Sequence, residues 1–238
     1  MTFKVGVVVL GVALTAAAPA VAQDKMTSAD GGFFTKFSAG AIIPTDTDVK
    51  NGTVNGLTLS GVSADISSEV GQMYSGEIGY NISDSFSIGL EGSYSAFDLD
   101  EISGTGTLTR NGSSLTLSGS ASLDADIESK IAMVNAVFTI PTGGGFKPYF
   151  GGGIGLVDWE FTFNQATSKQ DGSTLTCTPA CTDDGTDMAA KGIVGAAFAI
   201  SDNASAGIEY QYFWTDTGTA VTDDVTAHAI QASLKFNF

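Results

Sequence analysis

The C-terminal segment of the chain alternates between apolar and polar side chains and ends on an aromatic residue. From Ile230 to Phe238, every second residue is apolar and the residues between are polar. Successive side chains of a β-strand point to opposite faces, so one face of this segment meets an apolar environment and the other a polar one. An apolar strand at a free sheet edge promotes aggregation. The segment therefore favours a fold in which the last strand is paired on both sides.

The first 22 residues have the pattern of a cleaved export signal. Lys4 precedes an apolar stretch from Val5 to Leu14, and Ala20-Val21-Ala22 has the small-x-small form of a cleavage site. The alternative, a membrane anchor, is disfavoured because a transmembrane helix needs about 20 apolar residues. We expect a signal peptide over 1–22 and a single domain over 23–238.

Alternating segments recur along the chain, and the connections between them are short and long in turn. The predicted strands are 33–43, 72–82, 86–97, about 126–140, 147–163, 188–200, 205–215 and 225–238. The short connections are 81–85, 141–145 and 201–204, and the long ones are 44–70, 98–126 and the cysteine-bearing stretch that ends at 186. In an up-and-down meander this order places all long loops on one side. The sequence predicts an all-β fold, an eight-stranded antiparallel up-and-down transmembrane β-barrel with long external loops and short periplasmic turns.

Two of the long stretches contain similar segments. Asn55–Gly61 resembles Asn111–Gly119, and each is followed by a run rich in Asp, Ile and Ser. The segment occurs only twice and fits no solenoid period. We interpret both copies as hairpin extensions of the barrel above the membrane.

The two faces of the predicted strands differ in chemistry. The apolar face carries aromatic residues toward the strand ends, as a girdle at lipid headgroups requires. The predicted girdle residues are Tyr74, Tyr80, Tyr94, Tyr210, Tyr212 and Trp214. The opposite face is small and polar, and its charged residues are Lys36, Glu77, Glu91, Lys191, Glu209 and Lys235. Eight strands leave a lumen that side chains just fill, so we expect these six charges to form an ion-pair network that plugs it, unless they lie solvated at the rims.

The chain is strongly acidic, with 26 Asp and Glu against 10 Lys and Arg. This argues against binding nucleic acid, which requires a basic surface. The acids cluster between the apolar segments, for example at Asp98, Asp183, Asp184 and Asp223. We interpret them as a solvated face; the alternative is a set of loops that hold divalent cations, although the chain has no complete calcium loop.

The sequence predicts no catalytic site, cofactor or metal. His228 is the only histidine, and no nucleophile and carboxylate accompany it in a recognisable arrangement, so we interpret it as a girdle or loop residue. Cys177 and Cys181 are the only cysteines. In an exported protein they are expected to form a disulfide, which at this spacing would fix a loop tip rather than hold the fold.

Three segments resemble the outer-membrane β-barrel family, which includes the opacity-type porins and the OmpA-type transmembrane domain. They are Gly71–Tyr80, Lys147–Gly155 and Ile200–Tyr210, together with the terminal aromatic residue. The resemblance covers the whole mature chain. It implies an outer-membrane location, a charged barrel interior, and insertion by the outer-membrane assembly machinery, which recognises the last strand with Phe236 and Phe238.

These observations predict a protein of the outer membrane, in contact with its lipid bilayer, that is not an enzyme. We expect a structural or surface-interaction role of the adhesin or antigen type, with the external loops binding a surface ligand of unknown identity. The alternative is a small porin or transport channel. Two further readings are a lipid-modifying enzyme that uses His228 and a soluble ligand-binding barrel of lipocalin type, which would have an apolar interior and a polar exterior.

Overall fold

Strands make up almost all of the computed structural model, which describes residues 32–45, 47–49, 51–54, 56–216 and 225–238. The predicted signal peptide, residues 1–22, lies outside the described residues. None of the described residues forms a helix long and apolar enough to span a membrane. The strands are β1 (Phe33–Pro44), β2 (Thr47–Val49), β3 (Gly52–Val54), β4 (Leu57–Ser68), β5 (Gly71–Ser83), β6 (Phe86–Arg110), β7 (Ser113–Thr139), β8 (Phe146–Ser168), β9 (Thr174–Ala199), β10 (Ala204–Thr215) and β11 (Val225–Asn237).

Eight of these strands close into a ring. Antiparallel pairing runs from β1 through β5, β6, β7, β8, β9, β10 and β11, and β11 pairs back to β1 with Phe37 opposite Leu234. The last strand is therefore paired on both sides, and the ring has no free edge at this level. The predicted eight-stranded antiparallel barrel is confirmed. Its short turns after β5, β7 and β9 all lie at one end, which we call the turn end.

The predicted strand bounds imply long irregular loops at the other end. In the structure these long connections are instead continuations of the strands. β6 runs to Arg110 and β7 starts at Ser113, and the Asn111-Gly112 turn between them has positive φ at both residues. That is the chemistry of a tight hairpin turn. β8 and β9 extend in the same way, and β4 adds to the outer part of β6. We call this sheet the extension. The hairpin predicted for Asn111–Gly119 is confirmed, and Asn55 of the other copy lies outside the described residues.

The apolar face of each long strand changes sides between barrel and extension. On β8, Phe150, Ile154 and Leu156 point out of the ring, whereas Val157 and Phe163 are buried inside. The register between β7 and β8 is unbroken from Thr139 to Ala125, so the side chains keep alternating while the apolar set moves to the opposite parity. The predicted membrane setting requires this change: a barrel surrounded by lipid keeps its apolar side chains outside, whereas an extension surrounded by water buries them within.

Inside the ring the chemistry changes along the axis. Buried Lys, Glu, Gln and Asn side chains occupy the half toward the turn end. Nearer the extension the inward residues are apolar: Ile42, Met73, Ile131, Met133, Val157, Ala189, Phe213, Ala227 and Ala229. The sequence-based expectation of a small and polar inner face is therefore wrong for the outer half of the barrel. We call these nine residues the apolar layer.

Candidate functional site

Polar side chains from seven strands meet in the barrel interior next to the turn end. Lys36 of β1 lies with its Nζ 2.8 Å from Glu77 Oε2 on β5 and 3.2 Å from Glu209 Oε2 on β10. Tyr149 of β8 donates its hydroxyl to Glu209 Oε2 at 2.9 Å. The neighbouring Gln211 donates its amide to Glu209 Oε1. Both oxygens of Glu209, which is fully buried, are thus occupied.

A second ion pair joins the first through Gln211. Lys191 of β9 lies 2.7 Å from Glu91 of β6, and both side chains are fully buried. Asn135 of β7 donates its amide to Glu91 Oε2 at 2.8 Å. Lys191 also donates to Gln211 Oε1 at 3.4 Å. We call the whole set the polar network: Lys36, Glu77, Glu91, Asn135, Tyr149, Lys191, Glu209 and Gln211.

The polar network has the properties of a structural clamp rather than of a reactive centre. Its lysines each have a carboxylate partner, as a buried charge requires, because an unpaired charge in a dry interior is very costly. Each side chain is directed inward by the strand alternation, and the ring places seven strands around one small lumen. The arrangement therefore links opposite walls of the barrel and leaves its carboxylates engaged.

Lys235 is the one member of the predicted set that pairs with no carboxylate among the described residues. Its Nζ lies 3.0 Å from Asn81 Oδ1 and 3.8 Å from the centre of the Phe34 ring. Both contacts are near the turn end, because Asn81 lies two residues before the end of β5 at Ser83. The expectation that Lys235 would pair with Glu77, Glu91 or Glu209 is therefore wrong, and the remaining five predicted residues come together.

Sequence reasoning missed Tyr149 and Asn135. The signal was present, since Tyr149 precedes the outward Phe150 and Asn135 follows the outward Val134, which gives both the inward parity. Two inward glycines make room for side chains of the polar network. A methyl group at Gly89 would overlap with the carboxylate of Glu77, and one at Gly153 would overlap with the amide of Asn135.

Above the apolar layer, the extension has an apolar core that includes Leu99, Ile102, Leu117, Phe163 and Leu175. The disulfide between Cys177 and Cys181 is present and buried in this core. Cys177–Ala180 form an insertion in β9, because Phe163 pairs with Cys181 while Gln165 pairs with Thr176. The prediction that the bridge fixes a loop tip is therefore wrong: it closes a bulge within a strand.

The aromatic residues predicted to form a girdle lie on the outside of the ring. Tyr74 and Tyr94 are cross-strand partners, and Tyr210, Tyr212 and Trp214 follow one another on β10 toward the extension. Tyr80 instead lies at the turn end, where its ring contacts Phe33 with centroids 5.1 Å apart. Phe236 and Phe238 are also exposed on the outer surface at the turn end.

His228 lies on the outside of the ring between two tyrosines. Its Nδ1 is 2.6 Å from the Tyr210 hydroxyl, and its ring is 5.2 Å from that of Tyr212. In the part of the chain that the structure describes, no group of three or more His, Cys, Asp or Glu residues is arranged to hold a metal ion. This environment matches an aromatic girdle residue rather than a general base.

The outside of the extension is acidic. Glu128, Glu160 and Asp184 are adjacent partners across β7, β8 and β9, and Asp98 and Asp126 pair one step further out. Burial and then the neighbouring Asp98 raise the pKa of Asp126 above its usual range. The predicted acids Asp46, Asp223 and Asp224 lie outside the described residues.

The pKa of Glu101 in the extension is shifted in the opposite direction, to a lower value. The hydrogen bond from Lys169, followed by those from Ser120 and Ser103, lowers the pKa of Glu101 to about 2. Lys169 and Glu101 form an ion pair that bridges the turn before β9 to β6. Because this pair is solvated, its contribution to stability is small.

A closed ring of eight antiparallel strands with an apolar exterior and paired charges in its interior is the architecture of an outer-membrane barrel. The outer membrane protein beta-barrel domain matches residues 7–238 of this chain. The chain therefore belongs to this family and is located in the outer membrane. No curated protein sequence matches the chain.

Several solved structures are similar to this one. Neisserial surface protein A is 16% identical, with a TM-score of 0.49, over 89% of this chain and 100% of that chain. The outer membrane protein OprG from Pseudomonas aeruginosa is 14% identical, with a TM-score of 0.45, over 90% and 99%. Ail, the attachment invasion locus protein of Yersinia pestis, is 15% identical, with a TM-score of 0.39, over 86% and 99%.

Proposed function

We propose that this protein is a closed outer-membrane barrel that anchors the extension at the cell surface, where the extension interacts with other molecules. The observation that carries the proposal is the polar network, which crosses the lumen and joins seven of the eight barrel strands. A barrel built to conduct would keep a continuous polar path along its axis. Here the axis is occupied by paired charges and then by apolar side chains.

Two successive barriers oppose the passage of ions. An ion in the polar network would have to separate buried Lys–Glu pairs, which leaves uncompensated charges. Above it lies the apolar layer, in which Met73 and Met133 are fully buried and Phe213 is almost so. A dry constriction of this kind excludes ions because it offers no ligands to replace their water. The lumen therefore serves stability and not transport.

The extension supplies the surface for interaction. Its strands are paired and its core is apolar, so its outer face is held in a defined shape. That face carries a row of carboxylates formed by Glu128, Glu160 and Asp184. Adjacent like charges on one face of a sheet are destabilising, and cationic partners relieve this repulsion. We expect partners with basic surfaces, and we expect polyanions to be repelled.

The same geometry argues against an enzymatic role. His228 packs against Tyr210 and Tyr212 on the outside of the ring, where it has the contacts of a girdle residue. The carboxylates of the interior are engaged with lysine and amide groups. The protein is therefore proposed to act by binding alone.

Conductance in planar bilayers tests the closed lumen. We expect the wild-type protein to show no steady channel. A triple alanine variant of Glu91, Lys191 and Met133, which lie together across the two barriers, should show a measurable leak. Lys235→Ala, which changes a charge outside the ion pairs, is the matched control and should remain silent. A steady wild-type channel would establish the alternative, a small porin.

Binding to surfaces tests the role of the extension. Cells that display the wild-type protein should retain a basic test protein such as lysozyme better than cells that display Glu128→Gln, Glu160→Gln and Asp184→Asn together. Equal surface amounts are verified with an epitope tag. Equal retention by the two kinds of cell would contradict the proposed acidic interaction face.

A further inference from the structure

An apolar cavity of about 220 Å³ lies where the apolar layer meets the core of the extension. Its walls include Phe97, Leu99, Ile127, Phe161 and Phe213, which belong to four different strands. An engineered apolar cavity of about 150 Å³ stays free of water and binds benzene. The cavity here is therefore large enough for a single aromatic ring with a short substituent, or for a short alkyl chain.

The cavity borders the outer ends of three barrel strands. β1 ends at Pro44, β10 ends at Thr215 and β11 begins at Val225, whereas β9 continues beyond them into the extension. Pro44, Thr215 and Val225 all line the cavity. This part of the wall is level with the outer end of the girdle, because Trp214 is adjacent to Thr215.

The polar groups around the cavity select against an anion. Asp183 lines it, and Asp187, two strand positions further along the same inward face, accepts a hydrogen bond from Trp159 Nε1 at 2.6 Å. The hydroxyl of Thr215 is used in donating to the carbonyl of Val225 at 3.1 Å. A carboxylate or phosphate entering here would face negative charge in an apolar site, at high cost. A neutral apolar molecule meets no such penalty.

One wall of the cavity is built by a close contact that needs glycine. A methyl group at Gly185 would lie 2.7 Å from the Trp159 ring, so the indole packs directly against the backbone of β9. This places a large flat aromatic face against the cavity, and Asp187 fixes its orientation through the indole nitrogen. Such a face suits a planar apolar ligand.

We propose that this cavity is a binding site for small neutral apolar molecules, of the size of a substituted benzene or a short alkane. The site lies on the outer side of the polar network, so the bound molecule does not cross the barrel. The proposal is independent of the proposed surface interaction, because it depends on the interior of the extension and not on its acidic exterior.

Tryptophan fluorescence tests the site, because the chain has two tryptophans. Trp214→Phe leaves Trp159 at the cavity, and Trp159→Phe leaves Trp214 facing lipid as a report of partitioning. Both variants are reconstituted in lipid nanodiscs and titrated with bromobenzene, a short-range quencher. We expect Trp159 to be quenched saturably, at concentrations at least tenfold below those that quench Trp214. Parallel quenching of the two residues would overturn the proposal.

A cavity-filling variant and a charged analogue complete the test. Ala125 is buried at the cavity, and Ala136 faces lipid. In the Trp214→Phe protein, Ala125→Phe should weaken quenching at least tenfold, and Ala136→Phe should not. Ala227→Leu, on the opposite wall, serves if Ala125→Phe does not fold. With 6-bromohexanoate in place of 1-bromohexane, quenching should weaken at least tenfold; equal quenching by the two would contradict the assignment to neutral ligands.

Discussion

Individual glycines determine where the large polar side chains of the barrel fit. Gly89 faces inward, and Glu77 occupies the space that its missing side chain leaves. Gly92 is on the same strand but faces outward, and a methyl group there would touch nothing within 4 Å. Two glycines three residues apart thus have different roles, which follow from the face each occupies.

Replacement of these two glycines separates the roles. We expect Gly89→Ala to displace Glu77 from Lys36 and to lower the free energy of unfolding by about 1–3 kcal/mol, as overpacking of a filled interior does. Gly92→Ala should change it little. Urea unfolding in lipid vesicles measures both variants. Equal destabilisation would show that the inward position of Gly89 is not decisive.

The pKa of Asp126 makes the stability of the extension depend on pH. Because the folded state raises this pKa, the ionised carboxylate opposes folding. The destabilisation is complete above the raised pKa and is relieved as the pH falls through it. We expect proteolysis of the extension to slow as the pH falls from 8 through the raised pKa of Asp126, and to slow less in Asp126→Asn.

Glu101→Gln is the control for this experiment, since the folded state lowers the pKa of Glu101 to about 2. Its contribution favours folding at every pH above its ordinary range, and it is lost only as the pH falls toward 2. The variant should therefore leave the pH dependence above the ordinary pKa of Glu101, 4.5, intact. An unchanged pH dependence in Asp126→Asn would show that other acids control it.

At the scale of elements, β9 depends on the disulfide within it. The bridge closes a bulge of four residues, after which the strand resumes its pairing with β8. Replacing Cys177 and Cys181 by alanine should destabilise the extension by about 2 kcal/mol, since the closed loop is short. Protease sensitivity of the extension should increase. The barrel should keep its resistance to detergent, and loss of that resistance would contradict a role confined to the extension.

The last strand closes the ring, and we propose that its terminal aromatic residue is read during assembly. Phe238 is exposed, and its backbone NH bonds to the carbonyl of Phe33 at 2.9 Å. Phe238→Ser should therefore reduce the amount of protein in the outer membrane several-fold, measured by fractionation. Phe198→Ser, another exposed aromatic substitution at the turn end, should have a smaller effect. Equal losses would indicate a general need for apolar contact.

At the scale of the molecule, the ring of hydrogen bonds makes the barrel one cooperative unit. Every barrel strand is paired on both sides, and lipid offers no alternative partner for a backbone group. We expect the unboiled protein to migrate faster than the boiled protein in a denaturing gel. Identical migration would contradict a detergent-resistant barrel. N-terminal sequencing of the same sample should begin at Gln23 if the predicted signal peptide is removed.

The alternation of side chains by itself determined the number of barrel strands, their antiparallel order, the outer face and five of the charged residues that meet inside. These features can be predicted from local sequence, because the side chains of a strand alternate with a period of two and each short turn contains residues typical of turns. Tyr149 and Asn135 also occupy inward positions of the alternation, but they were not predicted as interior residues because the prediction considered only charged side chains.

Only the tertiary structure decided where water replaces lipid outside the sheet. β6, β7, β8 and β9 continue past that boundary, and their apolar side chains then change faces. The sequence contains both alternation patterns, but it does not show at which residue each strand leaves the membrane. The outer halves of these strands were therefore predicted as loops. The same boundary places apolar residues above the polar network, puts the disulfide in a core, and creates the cavity. These features depend on which strands face one another across the ring.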